Sequence, residues 1–171
     1  MSSLVGPPRY TLADWETWPG DWELWEGRPV ALASPVIDHQ RLLKRLLFLL
    51  DTEIERLGCS CEVILELDWR VDHHTVFRPD IAVACRQDLQ DYLHVAPEII
   101  IEVLSPSTRQ NDLLAKRFHY QQHGVRNYLT ADPADGSLQR QIGDESGDTD
   151  ETLDLPLTDR CRVTLPRVVQ F

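Results

Sequence analysis

The sequence predicts a single α/β domain in which a mixed β-sheet is flanked by helices. Three observations carry that expectation. The segment Pro97-Glu98-Ile99-Ile100-Ile101-Glu102-Val103-Leu104 is apolar on nearly both faces, the pattern of a strand at the centre of a covered sheet. A long helical pattern precedes it, from Asp38 or His39 to Leu57, and a shorter one over 109–123 follows it. The element order is helix, hairpin, long helix, strands, helix, strand, strand, which suits strands and helices sharing one core. The 171 residues fit one such core, with no internal repeat or inter-domain linker.

Residues 1–9, rich in Pro and small side chains, read as a flexible N-terminal arm, which leaves 10–171 as the domain. Thr11 and Asp14 sit at the positions of a capping box, so a short helix begins there and stops at Pro19-Gly20. Trp22 to Leu32 reads as two short strands turned at Glu26-Gly27, with Glu23 on the same face as Trp25. In the long helix, Leu42, Leu43, Leu46, Leu50, Ile54 and Leu57 recur at helical spacing and Gly58 is placed to end it. This stripe is wide enough to suggest that a partner subunit shares it. Glu62 to Val71 alternates as a strand, Asp72-His73-His74-Thr75 is a turn, and Val76 to Cys85 is a second strand interrupted by Pro79, which marks an edge or a strand beginning at Asp80. Arg86 to His94 reads as a polar connection containing a helical turn. Pro97 to Leu104 is the third strand, and Ser107 or Thr108 is a cap for the helix beyond it. Asn127–Ala131 and Ser137–Ile142 are short strands, 143–152 is an acidic solvated loop, and the tail forms two further strands.

The net charge of −11 argues against unaided binding to a DNA backbone, because such affinity comes mainly from Lys and Arg meeting phosphates. Part of the acid is concentrated between Asp144 and Asp154, which holds no base, and divalent ions neutralise carboxylates locally. Only Lys44 and Lys116 are lysines. No apolar run approaches the roughly 20 residues that span a membrane. No basic region followed by an apolar core marks a signal peptide, so a cytoplasmic protein is expected. The four cysteines lack the paired spacing of a zinc site and are expected to be structural thiols without disulfides.

Chemistry concentrates in 78–116. Asp80 follows Pro79 at a strand edge, and Glu102 lies inside an apolar strand on the side of Ile100 and Leu104. A carboxylate in such a strand is costly unless a cation or ammonium stabilises its charge. If the two strands are neighbours, both carboxylates can converge on one cation. Mg²⁺ suits such a pair because it takes hard oxygen ligands and retains water. A nearby lysine can stabilise charge developing on a phosphate or orient the attacking water.

Arg78-Pro79-Asp80, then Ile99-Ile100-Ile101-Glu102-Val103-Leu104-Ser105-Pro106-Ser107-Thr108, then Asp112-Leu113-Leu114-Ala115-Lys116-Arg117 resembles the bacterial Uma-type restriction endonuclease family of the PD-(D/E)XK superfamily. Trp22-Glu23-Leu24-Trp25-Glu26-Gly27 resembles that family's hairpin. Ser34-Pro35 with His39, and Gly124-Val125 leading to Tyr128 and Asp132-Pro133, extend the likeness over roughly 10–170. The resemblance implies a restriction-endonuclease-like core. In it Asp80 and Glu102 bind the metal, Glu23 is a third metal-binding acid, and Lys116 is the catalytic lysine, displaced onto the following helix. Leu104 holds the superfamily's usual lysine position. Two departures stand out: Asn127-Tyr128-Leu129 replaces Glu-Tyr-Trp, which removes a polar neighbour expected near the site, and Arg28 replaces an acid.

The implied activity is Mg²⁺- or Mn²⁺-dependent hydrolysis of DNA phosphodiester bonds, by a homodimer. The alternative is a catalytically inactive nuclease-fold protein with a binding or assembly role, which the acidic charge favours; a small-molecule hydrolase using the same carboxylates is a third class. His39 reads as a helix N-terminal residue near the site, His73-His74 as a turn pair, and Trp15, Trp18, Trp22 and Trp25 as core or interface.

Overall fold

A computed structural model describes residues 8–85, 91–105 and 111–171, the side chains of 111–113 excepted. Most of the expected arm, the 86–90 part of the polar connection and the Ser107 or Thr108 cap lie outside these residues. The capping box forms as expected: the Thr11 hydroxyl accepts from the Asp14 amide and Asp14 accepts from the Thr11 amide, opening α1 (Leu12–Trp15). The hairpin β1 (Trp22–Trp25) and β2 (Arg28–Ala31) turns at Glu26 and Gly27, both at positive φ, which matches the right-handed twist of a two-residue hairpin.

The long helix α2 (Ile37–Leu57) buries Leu42, Leu43, Leu46, Leu50 and Ile54, each contributing about 1.5–3 kcal/mol of burial. Gly58, at φ 64°, takes the left-handed conformation that ends it. This apolar stripe packs on the chain's own sheet and C-terminal hairpin, while Phe48 stays exposed.

Two expected long strands are each divided. Glu62–Val71 splits into β3 (Glu62–Leu65) and β4 (Trp69–Asp72), because Glu66 turns the chain at φ 48°. Val76–Cys85 splits into β5 (Thr75–Phe77) and β6 (Ile81–Ala84) around Pro79, which has no N–H to give a ladder. The halves enter different sheets. An antiparallel sheet has the order β2-β1-β5-β4. A mixed sheet has the order β3-β6-β7-β8-β9, with β7 (Ile99–Val103), β8 (Asn127–Ala131) and β9 (Leu138–Ile142). β7 is central as expected; it runs antiparallel to β6 and parallel to β8.

Alternation along β7 separates two cores. Ile99, Ile101 and Val103 meet α2 and the hairpin β10 (Thr152–Thr158)–β11 (Cys161–Pro166). Ile100 faces Ala82, Tyr128, Trp69, Phe77 and Tyr120, the last on α3 (Arg117–Gln122). Among the described residues no helix is long and apolar enough to cross a membrane.

The expectation of unpaired thiols is overturned: Cys59 is bonded to Cys161 and Cys61 to Cys85. Register explains the second pair, since Glu62 stands opposite Ala84 and one step further places Cys61 opposite Cys85. The turn at Gly58 delivers Cys59 to the start of β11. Sequence spacing alone contains neither contact. The acidic stretch also differs from a solvated loop at one point, where Asp148 pairs with Arg140 at 2.6 Å, both side chains buried.

Candidate active site

The division of Val76–Ala84 creates the site. Where the chain crosses between sheets at Arg78-Pro79-Asp80, β1 lies beside β5 and β7 beside β6. The β6–β7 register pairs Ile81 with Ile101, so continuing it by one residue sets Asp80 opposite Glu102. Asp80 Oδ2 accepts the Val103 amide at 2.7 Å, which fixes its carboxylate at the end of β7. The neighbouring-strand arrangement needed for the two acids to converge is therefore present.

Lys116 reaches the same place from a π-helical turn, Asn111–Lys116, that runs directly into α3. Such turns shift side-chain phase within a helix and recur at functional sites. Lys116 is buried, with Nζ 2.8 Å from Glu102 Oε1 and 3.4 Å from Glu23 Oε1. Tyr120 lies four residues on, hence on the same helix face, and its hydroxyl donates to Glu102 Oε1 at 2.6 Å. Burial, then the charges of Glu102 and Glu23, push the Tyr120 phenol well above its ordinary pKa, so it remains a donor. Glu23 is buried as well. Its Oε1 accepts the Arg78 amide at 2.7 Å and its Oε2 accepts Trp25 Nε1 at 2.9 Å.

His39, in the first turn of α2, forms the far wall. Its Nε2 is buried without a hydrogen-bond partner and stands 3.5 Å from Asp80 Oδ1. Burial opposes charge on the ring, but the Asp80 carboxylate, with Glu66 and the Val103 carbonyl, outweighs it and raises the His39 pKa. Asp80, Glu102, His39, Lys116, Arg78 and Glu66 line one cleft of about 620 Å³.

The four expected residues are thus brought to one place, with Asp80 opposite Glu102 and Lys116 paired to both Glu102 and Glu23. Among the described residues no group of three or more His, Cys, Asp and Glu side chains is gathered to hold a metal ion. On the Glu23 side, one oxygen accepts from Trp25 Nε1 and the other from the Arg78 amide, with Lys116 Nζ paired to it at 3.4 Å. The remaining acids offer a hard cation oxygen donors of the right kind: a partly exposed Asp80 carboxylate and the neighbouring Glu102. Sequence reading named neither Tyr120 nor Trp25 as site residues. The i,i+4 spacing from Lys116 was the available signal for Tyr120, and the shared face with Glu23 was the signal for Trp25. The Asn127 departure does not touch the site: its side chain bonds the Glu98 and Pro156 carbonyls and Arg140.

The fold is α/β, a mixed sheet with helices on it, and its cleft carries an Asp–Glu pair across adjacent strands and a buried lysine. One solved structure of that kind, described as "a putative nuclease belonging to DUF820" from Anabaena variabilis, is similar with a TM-score of 0.66. It shares 21% identity, over 78% of this chain and 81% of that one. The chain belongs to the Uma2 family, whose model, described as "Putative restriction endonuclease", matches residues 11–161. No curated protein matches the chain.

Proposed function

We propose that this protein is a metal-dependent endonuclease that hydrolyses DNA phosphodiester bonds. The observation that carries this reading is the buried Lys116 ammonium, held between Glu102 and Glu23 at the edge of a cleft that also contains Asp80. A lysine confined there at the cost of its hydration has a defined position, as a group that acts on a phosphate must have. A structural ion pair on a helix has no need of a cleft.

Asp80 and Glu102 are the proposed ligands for Mg²⁺ or Mn²⁺, which bind few carboxylates and retain waters for the substrate to displace. A divalent ion there supplies Lewis-acid polarisation of the phosphate and a more acidic water. Lys116 orients that water or donates to the phosphate oxygens. Glu23, expected as a third metal ligand, is better placed to fix Lys116, and Tyr120 fixes Glu102. His39 braces Asp80 from the helix wall. A homodimer, in which two copies would address two strands, belongs to the same reading; the cytoplasmic location expected from the sequence stands against two disulfides, which are rare in that compartment.

The inactive alternative draws support from one property, the net charge of −11. Incubation with plasmid and oligonucleotide DNA, in Mg²⁺ or Mn²⁺ against EDTA, separates the two. The nuclease reading expects metal-dependent cleavage that disappears in Asp80→Ala and Lys116→Ala. Absence of cleavage by folded wild-type protein would favour a binding role.

A further inference from the structure

A second hollow, about 230 Å³, opens beside the first and is lined by Trp15, Trp18, Trp22, Glu16, Arg70 and Arg78. It is smaller than the roughly 300–1,000 Å³ typical of drug-sized pockets. Arg78 lines both hollows, and Asp21, which lines the first, directly precedes Trp22 in the chain. The three tryptophans are half-buried, none sealed into a core. Trp15 and Trp22 spend their indole N–H groups on the carbonyls of Trp22 and Pro19, at 2.7 and 2.9 Å. Ring surface is therefore what they offer the hollow. Trp18 stands edge-on to both Trp22 and Tyr10, which fixes its tilt without a hydrogen bond in its side-chain contacts.

The arginines are pre-positioned. Arg70 pairs with Glu16 at 2.7 Å; its guanidinium stacks on the Tyr92 ring, 3.8 Å from the centroid, with the Trp15 ring further off at 5.6 Å, while its Nε is buried without a hydrogen-bond partner. Arg78 pairs with Asp68 and Asp21, each at 2.7 Å. Aromatic faces alternating with guanidinium planes are the surface that holds unpaired nucleobases by stacking, with little dependence on sequence.

We propose that this tryptophan hollow is a base-stacking subsite, which takes an unpaired nucleobase of the DNA strand leaving the cleft past Arg78. The inference rests on the nuclease reading for the identity of the strand, and it names that strand as single or locally unpaired DNA. It also accounts for how so acidic a chain could hold DNA. Each lining arginine already has a carboxylate partner, so binding releases few counterions and draws on stacking. The affinity for a short single strand should then fall only shallowly with salt, unlike that of a protein which neutralises many phosphates.

The test is a titration of the full chain with a short oligothymidylate in EDTA, where no metal-dependent cleavage occurs, read by quenching of tryptophan fluorescence. Trp18→Leu retains apolar bulk and leaves the backbone bond from Trp18 to the Trp15 carbonyl in place. It is expected to weaken binding about 5- to 150-fold, the range for loss of one stacked base, and Trp18→Phe is expected to recover part of it. An otherwise identical strand with abasic sites is expected to bind as weakly to wild type as the normal strand binds to Trp18→Leu. Equal affinity of wild type and Trp18→Leu, or of the normal and abasic strands, overturns the proposal. Quenching that depends on Trp18, in a protein that cleaves nothing when metal is added, would uphold the subsite and remove the nuclease reading. Cleavage with no Trp18 dependence of binding would do the reverse.

Discussion

Replacing Lys116 by Met removes one charge and preserves length and helix propensity. The cost can be worked from the geometry. At an effective dielectric of about 20, the Lys116–Glu102 contact at 2.8 Å is worth about 6 kcal/mol of gross attraction and the Lys116–Glu23 contact at 3.4 Å about 5 kcal/mol. Desolvation of the three buried groups offsets most of that, and removing one member of a buried pair typically costs about 3–5 kcal/mol. For a domain of this size the melting temperature should fall by about 6–20 °C at pH 7.5. Circular-dichroism melts of wild type and Lys116→Met at pH 7.5 measure the deficit. A variant that melts with wild type would mean that Lys116 does not hold the two glutamates together, and the reasoning would fail.

Three further outcomes follow from the same geometry. Tyr120→Phe removes the 2.6 Å donor to Glu102 and should cost about 1–3 kcal/mol in chemical denaturation, with folding retained. Burial opposes the charge on Asp148, but Arg140, the Asp154 amide and Arg167 outweigh it and hold its carboxyl below the ordinary range. Its contribution is therefore complete above the unfolded Asp pKa and is lost as pH falls through the folded one. Asp148→Asn should cost roughly 3 kcal/mol at pH 7, the low end for a broken buried pair because Arg140 keeps Asn127 and the Asp154 carbonyl. A melt of Asp148→Asn that matched wild type at pH 7 would refute this. Reduction of Cys59–Cys161, which spans 102 residues, removes up to about 4.7 kcal/mol of chain-entropy stabilisation, visible as a lower melting temperature with reductant. Four titratable thiols in the native, unreduced protein would contradict that pairing.

The parts of the fold legible in the sequence are those governed by local pattern. The Thr11–Asp14 capping box, the Glu26-Gly27 turn and the Gly58 helix end each follow from a few neighbouring residues, and β7 follows from an apolar run with no polar face. Of the two strand breaks, Pro79 marks one, while the other was hidden: period-2 alternation continues through Glu66 as the backbone turns from one sheet to another, and alternation says nothing about which sheet a residue joins. The disulfides depend on register between distant segments, which a single sequence does not contain. The same holds within the site. Asp80 and Glu102 could be paired by assuming adjacent strands. Lys116 and Glu23 needed the family resemblance, because the π-helical turn that aims Lys116 has no sequence signature in the chain. The surroundings of Glu23 were the least legible, since only the contacts show Trp25, Arg78 and Lys116 gathered on its oxygens.

The most direct test of the proposed chemistry is the single-turnover rate of DNA cleavage in Mn²⁺, with protein in excess so that binding is saturated, for wild type and for Lys116→Met at a temperature where both are folded. The account predicts cleavage by wild type that EDTA abolishes, and a rate at least about 10²-fold lower in the variant, the loss typical of removing one preorganised electrostatic group. A variant rate within about twofold of wild type would contradict it, because a loss on the scale of 10² is expected wherever such a group acts on the reacting phosphate.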